Sequence, residues 1–380
     1  MIKYPDRLGY YQVGNLKYYS KLEAIEAHQR TGIHPHWNFN EAVFSSYNWI
    51  VEPTDSITEI YKSRAQQLRS KYDYIVLMYS GGADSFNVLH TFLSNDIALD
   101  EVASFINYNA TADKENFLNS EIFNVSIPTI TQLKEIYPWL KHKLIDLTQL
   151  TIDFFNHDQN KFDWIYKLNA AFNPNAASRE SLPLKIKEWR DIIDSGKKFC
   201  ILWGHDKPRI IHKDNKFLFR FIDIVDNAST VKSIAGEQPY SDELFYWTPD
   251  EPRIVIKQSH LIKNYLNSGN IDSLPFVSKE KSDLAYKTSN GINYWLSNHG
   301  VHNIIYPCWD INTFSLGKPT SLILSPRDSW FFNISQQNTF KNNYIIGLEK
   351  LWQTIPEYWR NGENVSNGLK SCWSKDYFLE

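Results

Sequence analysis

One stretch constrains this chain more than any other: Tyr74-Ile-Val-Leu-Met-Tyr-Ser-Gly-Gly-Ala-Asp-Ser-Phe86. An apolar, β-rich run from Tyr74 to Tyr79 meets a turn of small residues, Ser80 to Ser85. The turn leads into Phe86, Leu89, Phe92 and Leu93 at helical spacing. Strand, glycine-rich turn and helix in that order aim backbone N–H groups and a helix N-terminus at an anion. Gly81 and Gly82 let the backbone approach a phosphate closely, and the hydroxyls of Ser80 and Ser85 are potential donors to its oxygens. The buried strand places the turn at its carboxyl end, where open parallel sheets bind ligands. The lysine-bearing phosphate loop, Gly-x-x-x-x-Gly-Lys-Ser/Thr, is absent, because no lysine follows the glycines.

The run Ser80-Gly81-Gly82-Ala83-Asp84-Ser85 resembles the Ser-Gly-Gly-x-Asp-Ser loop of the N-type ATP pyrophosphatases, the PP-loop family of the adenine nucleotide α-hydrolase-like superfamily. An ordinary βα turn also takes small residues, but here six consecutive positions fit, between a strand and a helix. The resemblance implies that Ser80, Gly81, Gly82, Ala83, Asp84 and Ser85 hold the pyrophosphate end of ATP while an acceptor attacks the α-phosphate. It implies Asp84 as a magnesium ligand or as the residue that orients the loop, since a carboxylate beside polyphosphate needs a cation between them.

A second segment, Trp203-Gly204-His205-Asp206-Lys207-Pro208-Arg209, is similar, more loosely, to the Gly-x-Asp segment that asparagine-synthetase-like members carry after the same strand. That likeness implies Gly204 in the nucleotide site, Asp206 sharing magnesium with Asp84, and Lys207 and Arg209 neutralising the leaving pyrophosphate. The chain departs from the pattern at Lys207, where an acidic residue usually follows the aspartate, which leaves the roles within the segment open. Tyr108, at the end of the second strand, falls where the family contacts adenine and ribose, and is a candidate to stack on the ring. Asp146 and Thr148 read better as a helix cap than as ligands. His205 reads as a neutral hydrogen bonder before a general base.

Around these motifs the expected fold is α/β: a twisted parallel sheet with helices on both faces. Strands are expected at 74–79, 101–108, 143–147 and 198–203, with helices near 115–125, 130–139 and 183–194 between them. Residues 1–70 read as a small α+β lead-in, with a hairpin over 9–19 and capping boxes at Ser20–Glu23 and Ser56–Glu59. The ATP core is expected over 71–235, with an insertion or loop at 155–182 and a second hairpin at 209–224. Residues 236–380 are expected to be mainly helical, with amphipathic stretches near 252–267, 287–298 and 346–358. This last region is expected to form a lid that shields an adenylate from water and presents Lys257, His260 or Lys318 to the α-phosphate. Phe245, Tyr246, Trp247 and Trp309 are suited to closing its pocket, or to plain core.

Absences narrow the chemistry. A net charge of -3 sets up no global field for nucleic acid, although Lys207, Arg209, Lys213, Lys216 and Arg220 form a local basic run. Three cysteines, far apart, make no CxxC pair and no zinc or disulfide framework; they suit a reducing cytoplasmic compartment. Cys308 is the one candidate sulfur carrier. The glutaminase, reductase and cysteine-rich thiolase motifs of other branches are missing, and no apolar run is long enough for a bilayer. The first expectation is therefore an AMP-forming ligase using ATP and Mg2+, which activates a carboxylate or carbonyl oxygen for attack by an amine or ammonia. The alternatives are modification of a nucleic-acid base, or nucleotide sensing without turnover. The acceptor and the oligomeric state are left open.

Overall fold

The computed structural model describes residues 6–106, 122–157, 163–167, 179, 181–205, 207–208, 210–223, 239–268, 285–288, 291–294, 302, 304–309, 343–355, 359–360, 364–365 and 372–380. At the N-terminus, β1 (Tyr10–Val13) and β2 (Leu16–Tyr18) form the expected hairpin, with Gly14 at φ +61° in its turn. α1 (Lys21–Thr31) starts where the Ser20 hydroxyl accepts the Glu23 N–H, and it ends at Gly32 in the left-handed region. β3 (His36–Asn38) pairs with the free side of β1. After the short α2 (Glu41–Phe44), α3 (Ile57–Lys71) opens on a complete capping box between Ser56 and Glu59.

β4 (Tyr74–Met78) then runs into α4 (Ala83–Ser94) and β5 (Glu101–Ile106). α5 (Ile127–Ile136) leads to β6 (His142–Asp146), and α6 (Thr148–Asn156) follows. α7 (Leu182–Lys185) and α8 (Lys187–Asp194) precede β7 (Phe199–Trp203), which is buried at every position, as a central parallel strand must be. The hairpin of β8 (Ile210–Lys213) and β9 (Lys216–Phe219) turns at Asp214 and Asn215, both at positive φ as its two-residue loop requires. β10 (Tyr240–Leu244) pairs in parallel with β7.

The fold is α/β: a five-stranded parallel sheet in the order β10-β7-β4-β5-β6. Helices cover both faces. Trp189 of α8 packs on Phe199 and donates to Glu101, while Arg64 of α3 reaches Glu243 on the opposite face. The sheet thus takes its fifth strand from beyond residue 235, where the sequence placed the end of the core.

The rest of the C-terminal part carries strands as well as helices. α9 (Arg253–Asn267) and α10 (Asn343–Thr354) match the amphipathic stretches. The helix expected over 287–298 is instead a strand pair, β11 (Ala285–Thr288) and β12 (Gly291–Tyr294). Thr288 pairs directly with Gly291, and this strand pairing outweighs the helical spacing there. β12 adds to β8, and at the C-terminus, beyond β13 (Trp359–Arg360) and β14 (Asn364–Val365), β15 (Tyr377–Phe378) adds to β9. This gives an antiparallel sheet β11-β12-β8-β9-β15. Its aromatic face, with Phe219, Phe221 and Tyr377, meets Trp49, Phe39 and Phe44 of the lead-in and Trp247. A buried Lys21–Asp223 ion pair at 2.6 Å ties the same two parts together. Within the stretch expected as a loop at 155–182, Trp164 is fully buried, and a Cβ on Gly347 of α10 would meet its indole at 2.0 Å.

Candidate functional site

β4 is buried from Ile75 to Met78 and delivers the glycine-rich turn to the carboxyl edge of the parallel sheet. Gly81 sits at φ +88°, a conformation that costs an L-residue strain, and its missing Cβ leaves room for the Ser126 backbone at 3.1 Å. Gly82 is the N-cap of α4, so the first amides of that helix, which have no intrahelical acceptor by position, face out of the turn's end of the helix. The serines shape the turn. Ser85 Oγ donates to Gly82 O at 3.1 Å and accepts Ser80 N–H at 3.3 Å, while Gly82 N–H donates to Ser80 Oγ at 3.3 Å. Ser85 is buried with its proton committed to the turn; Ser80, half-buried, is the more accessible hydroxyl. Ala83 is buried as the first residue of α4.

The turn after β7 meets this loop directly. A Cβ on Gly204 would lie 2.9 Å from Ser85 Cα and 3.0 Å from Asp84 O, so only glycine lets the two backbones touch. Three positions on, Lys207 Nζ donates to both carboxylate oxygens of Asp84, at 3.2 and 3.1 Å. Parallel strands present their carboxyl ends to one crevice, which is how loops 123 positions apart come together.

A third element completes the cluster. Tyr306 OH donates to Asp84 Oδ1 at 2.5 Å, and His302 Nε2 lies 4.0 Å from the same oxygen, its ring stacked on Tyr306. Tyr246 OH donates to Asp84 O at 2.7 Å and accepts from Asn87 Nδ2 at 3.0 Å. Tyr61, packed edge-on against Tyr246, donates to Ile305 O and accepts from Gln258. Burial works against the charged form of Asp84. Lys207 first, then His302 and the hydrogen bonds from Tyr306 and Lys207, outweigh it and hold the carboxyl well below the ordinary carboxylate range. Burial, with the Asp84 charge adding to it, pushes the Tyr246 and Tyr306 phenols far up, so both remain donors.

Of the residues expected from sequence, Ser80 to Ser85, Gly204 and Lys207 come together here. Tyr108, Asp206 and Arg209 lie outside the described residues, as does Lys318. The lid residues Lys257 and His260 do not reach the turn: Lys257 pairs with Glu52 at 2.8 Å and donates to Pro53 O, and His260 bonds Trp49 O at 2.8 Å. Their face of α9 packs on the lead-in, because that is where residues 49–53 cover it. Phe245 and Trp247 are core, while Tyr246 serves the loop. His205 stacks on Trp203 at 5.8 Å, and Asp146 Oδ1 caps α6 by accepting Thr148 N–H at 2.8 Å. Neither His302 nor Tyr306 carries a signal of its own in the sequence, and Tyr306 lies 222 positions from its partner.

Chemically, the cluster is an ionised carboxylate, an ammonium and a glycine-rich turn at a helix N-terminus, a set suited to a polyanion accompanied by a cation. Among the described residues no group of three or more His, Cys, Asp or Glu is placed to hold a metal ion. One half-open carboxylate fits a magnesium ion that arrives with phosphates, which commonly takes one or two protein carboxylates and completes its shell with phosphate and water. No helix among the described residues is long and apolar enough to cross a membrane.

No protein-family model matches the chain, and no curated protein matches it. Among solved structures it is similar to the U34-tRNA thiolase NcsA from Methanococcus maripaludis, determined with its 4Fe-4S cluster. The two share 13% identity over 78% of this chain and 80% of that one, with a TM-score of 0.25. A likeness at that score is too weak to define a reaction.

Proposed function

We propose that this chain is an ATP-using enzyme that cleaves ATP to AMP and pyrophosphate at the Ser80–Ser85 turn and thereby activates an acceptor. The observation that carries the reading is the meeting of Gly204 and Lys207 with Asp84 at the head of α4. The turn amides and the α4 N-terminus hold the pyrophosphate end of the nucleotide. Lys207, with Arg209, neutralises the charge that builds on the leaving pyrophosphate. Asp84, with Asp206, would hold Mg2+, which when bound supplies further charge neutralisation on the phosphates. Tyr108 is the candidate ring for adenine. An acceptor oxygen forms a bond to the α-phosphorus as the bond to the bridging oxygen breaks, and pyrophosphate departs with that electron pair.

For the acceptor, the first reading is a carboxylate or carbonyl oxygen, whose adenylate is attacked by an amine or ammonia with loss of AMP. It rests on the spacing of the cysteines: Cys200, Cys308 and Cys372 lie far apart in the sequence and make no CxxC pair of the kind the cysteine-rich thiolases carry. A second reading, modification of a nucleic-acid base, is favoured by one observation: Cys308 is exposed two positions after Tyr306, which touches Asp84. The test is incubation with ATP and magnesium, with and without nucleic acid. AMP and pyrophosphate are expected in equal amounts, and Asp84→Asn and Ser80→Ala should abolish their release while leaving the fold intact. ADP and phosphate as products would overturn the reading. Turnover that requires nucleic acid and is lost in Cys308→Ser would select the second acceptor.

A further inference from the structure

The contact between Lys207 and Asp84 joins a braced carboxylate to a cation from another loop. Asp84 is gripped by buried, cross-braced groups: Tyr306 on Oδ1, and Tyr246 on its carbonyl, itself fixed by Asn87 and packed on Tyr61. Tyr246 and Tyr306 are fully buried. Lys207, a compact charge on a four-carbon stem, donates to both oxygens of that carboxylate. The side chains of Asp84 and Lys207 retain 28% and 16% exposure, so the pair is reached by solvent.

We infer that Lys207 is a resident counter-ion of Asp84 that changes partner on nucleotide binding: it leaves the carboxylate for the incoming phosphates, and the vacated oxygen takes the divalent cation they carry. The inference rests on the ATP reading above and deepens it. Electrostatics favours the exchange in both directions. Without nucleotide, Asp84 and Lys207 neutralise one another, and a lone divalent cation must displace a tethered charge. With a polyphosphate present, Lys207 moves to the greater negative charge a few ångströms away, and Asp84 remains aimed because Tyr306 and Tyr246 hold it. Lys207 then acts as a gate against metal binding in the absence of nucleotide.

The test uses Mn2+ alone, titrated into the full nucleotide-free chain and followed by the electron paramagnetic resonance signal of the free ion. The wild type should bind it weakly. Lys207→Met should bind it roughly tenfold more tightly, the scale expected from removing one competing charge at a partly exposed pair. Adding Asp84→Asn should erase the gain. Lys207→Gln, which can still donate a hydrogen bond to Asp84, should gain similarly, because charge and not packing is the competitor. In parallel, both Lys207 variants should bind ATP more weakly than wild type. Equal Mn2+ affinity in wild type and both variants would overturn the exchange even where ATP binds normally. A wild type that fails to bind ATP in the same buffer would overturn the reading beneath it, whatever the Mn2+ titrations give.

Discussion

Replacing Gly204 by alanine tests the joint between the two loops with the smallest available change. Its φ is not in the left-handed region, so alanine meets no backbone penalty and only the contact matters. The added Cβ would sit 2.9 Å from Ser85 Cα, 3.0 Å from Asp84 O and 3.1 Å from Asp84 C, where ordinary contact begins at 3.4 Å. All three are backbone atoms, so no side chain can swing aside. The loops must part by about 0.5 Å or more to reach a normal carbon–carbon separation. Lys207 Nζ, now 3.1 Å from Asp84 Oδ2, would move to the limit of hydrogen bonding. Overpacking of this kind costs about 1–3 kcal/mol. If the parted loops share one ligand, the same energy appears in ATP affinity as a loss of roughly ten- to hundredfold. Gly196→Ala is the control. Gly196 lies at φ +83° with nothing within 4 Å, so alanine there costs about 1–2 kcal/mol of strain far from the turn. Urea unfolding and calorimetric ATP binding, run on both variants, separate the cases. Gly204→Ala should lose both stability and affinity, and Gly196→Ala stability alone. Wild-type ATP affinity in a destabilised Gly204→Ala would refute the shared site.

The remaining expectations concern charge. Glu243 is buried and receives Arg64 at 3.0 Å, Arg7 at 2.9 Å and Lys71 at 2.7 Å, so Glu243→Gln strands a fully buried Arg64 and should cost about 3–5 kcal/mol in urea unfolding. Burial opposes the Glu243 charge, but Arg64, Arg7 and Lys71 hold its carboxyl well below the ordinary range. A depressed carboxyl stabilises above its unfolded value and loses that stability as pH falls toward the folded one, so acid unfolding should have a shallower pH dependence in the variant. His142, whose Nε2 lies 3.0 Å from Ser104 Oγ, is pushed down to about 4 by burial and then by Lys134. Between its ordinary 6.5 and that value the unfolded chain binds a proton that the folded one refuses. Stability should therefore fall as pH drops from 6.5 toward 4, and an unchanged slope in His142→Gln would contradict this.

What was legible in the sequence is what short-range physics dictates. A β-rich run, glycines and a helical spacing define β4, the turn and α4 within one unbroken stretch from Tyr74 to Ser94, and no distant contact is needed to form them. The Ser56–Glu59 capping box, the hairpin turns at Gly14 and Asp214-Asn215, and the alternation of strands and helices that makes the sheet parallel are equally local. The tertiary structure decided which distant groups meet. Lys257 and His260 have the right chemistry for a phosphate site, but residues 49–53 cover their face of α9 and turn them away. Tyr306 and His302 reach Asp84 across more than two hundred positions because their segment packs at the head of α4. β10 joins the sheet from beyond the expected boundary because the edge of β7 offers it a parallel partner. Local periodicity specifies an element and its faces. Which groups share a crevice depends on the order in which strands pair and on what covers each face, and that is settled only when the whole core closes.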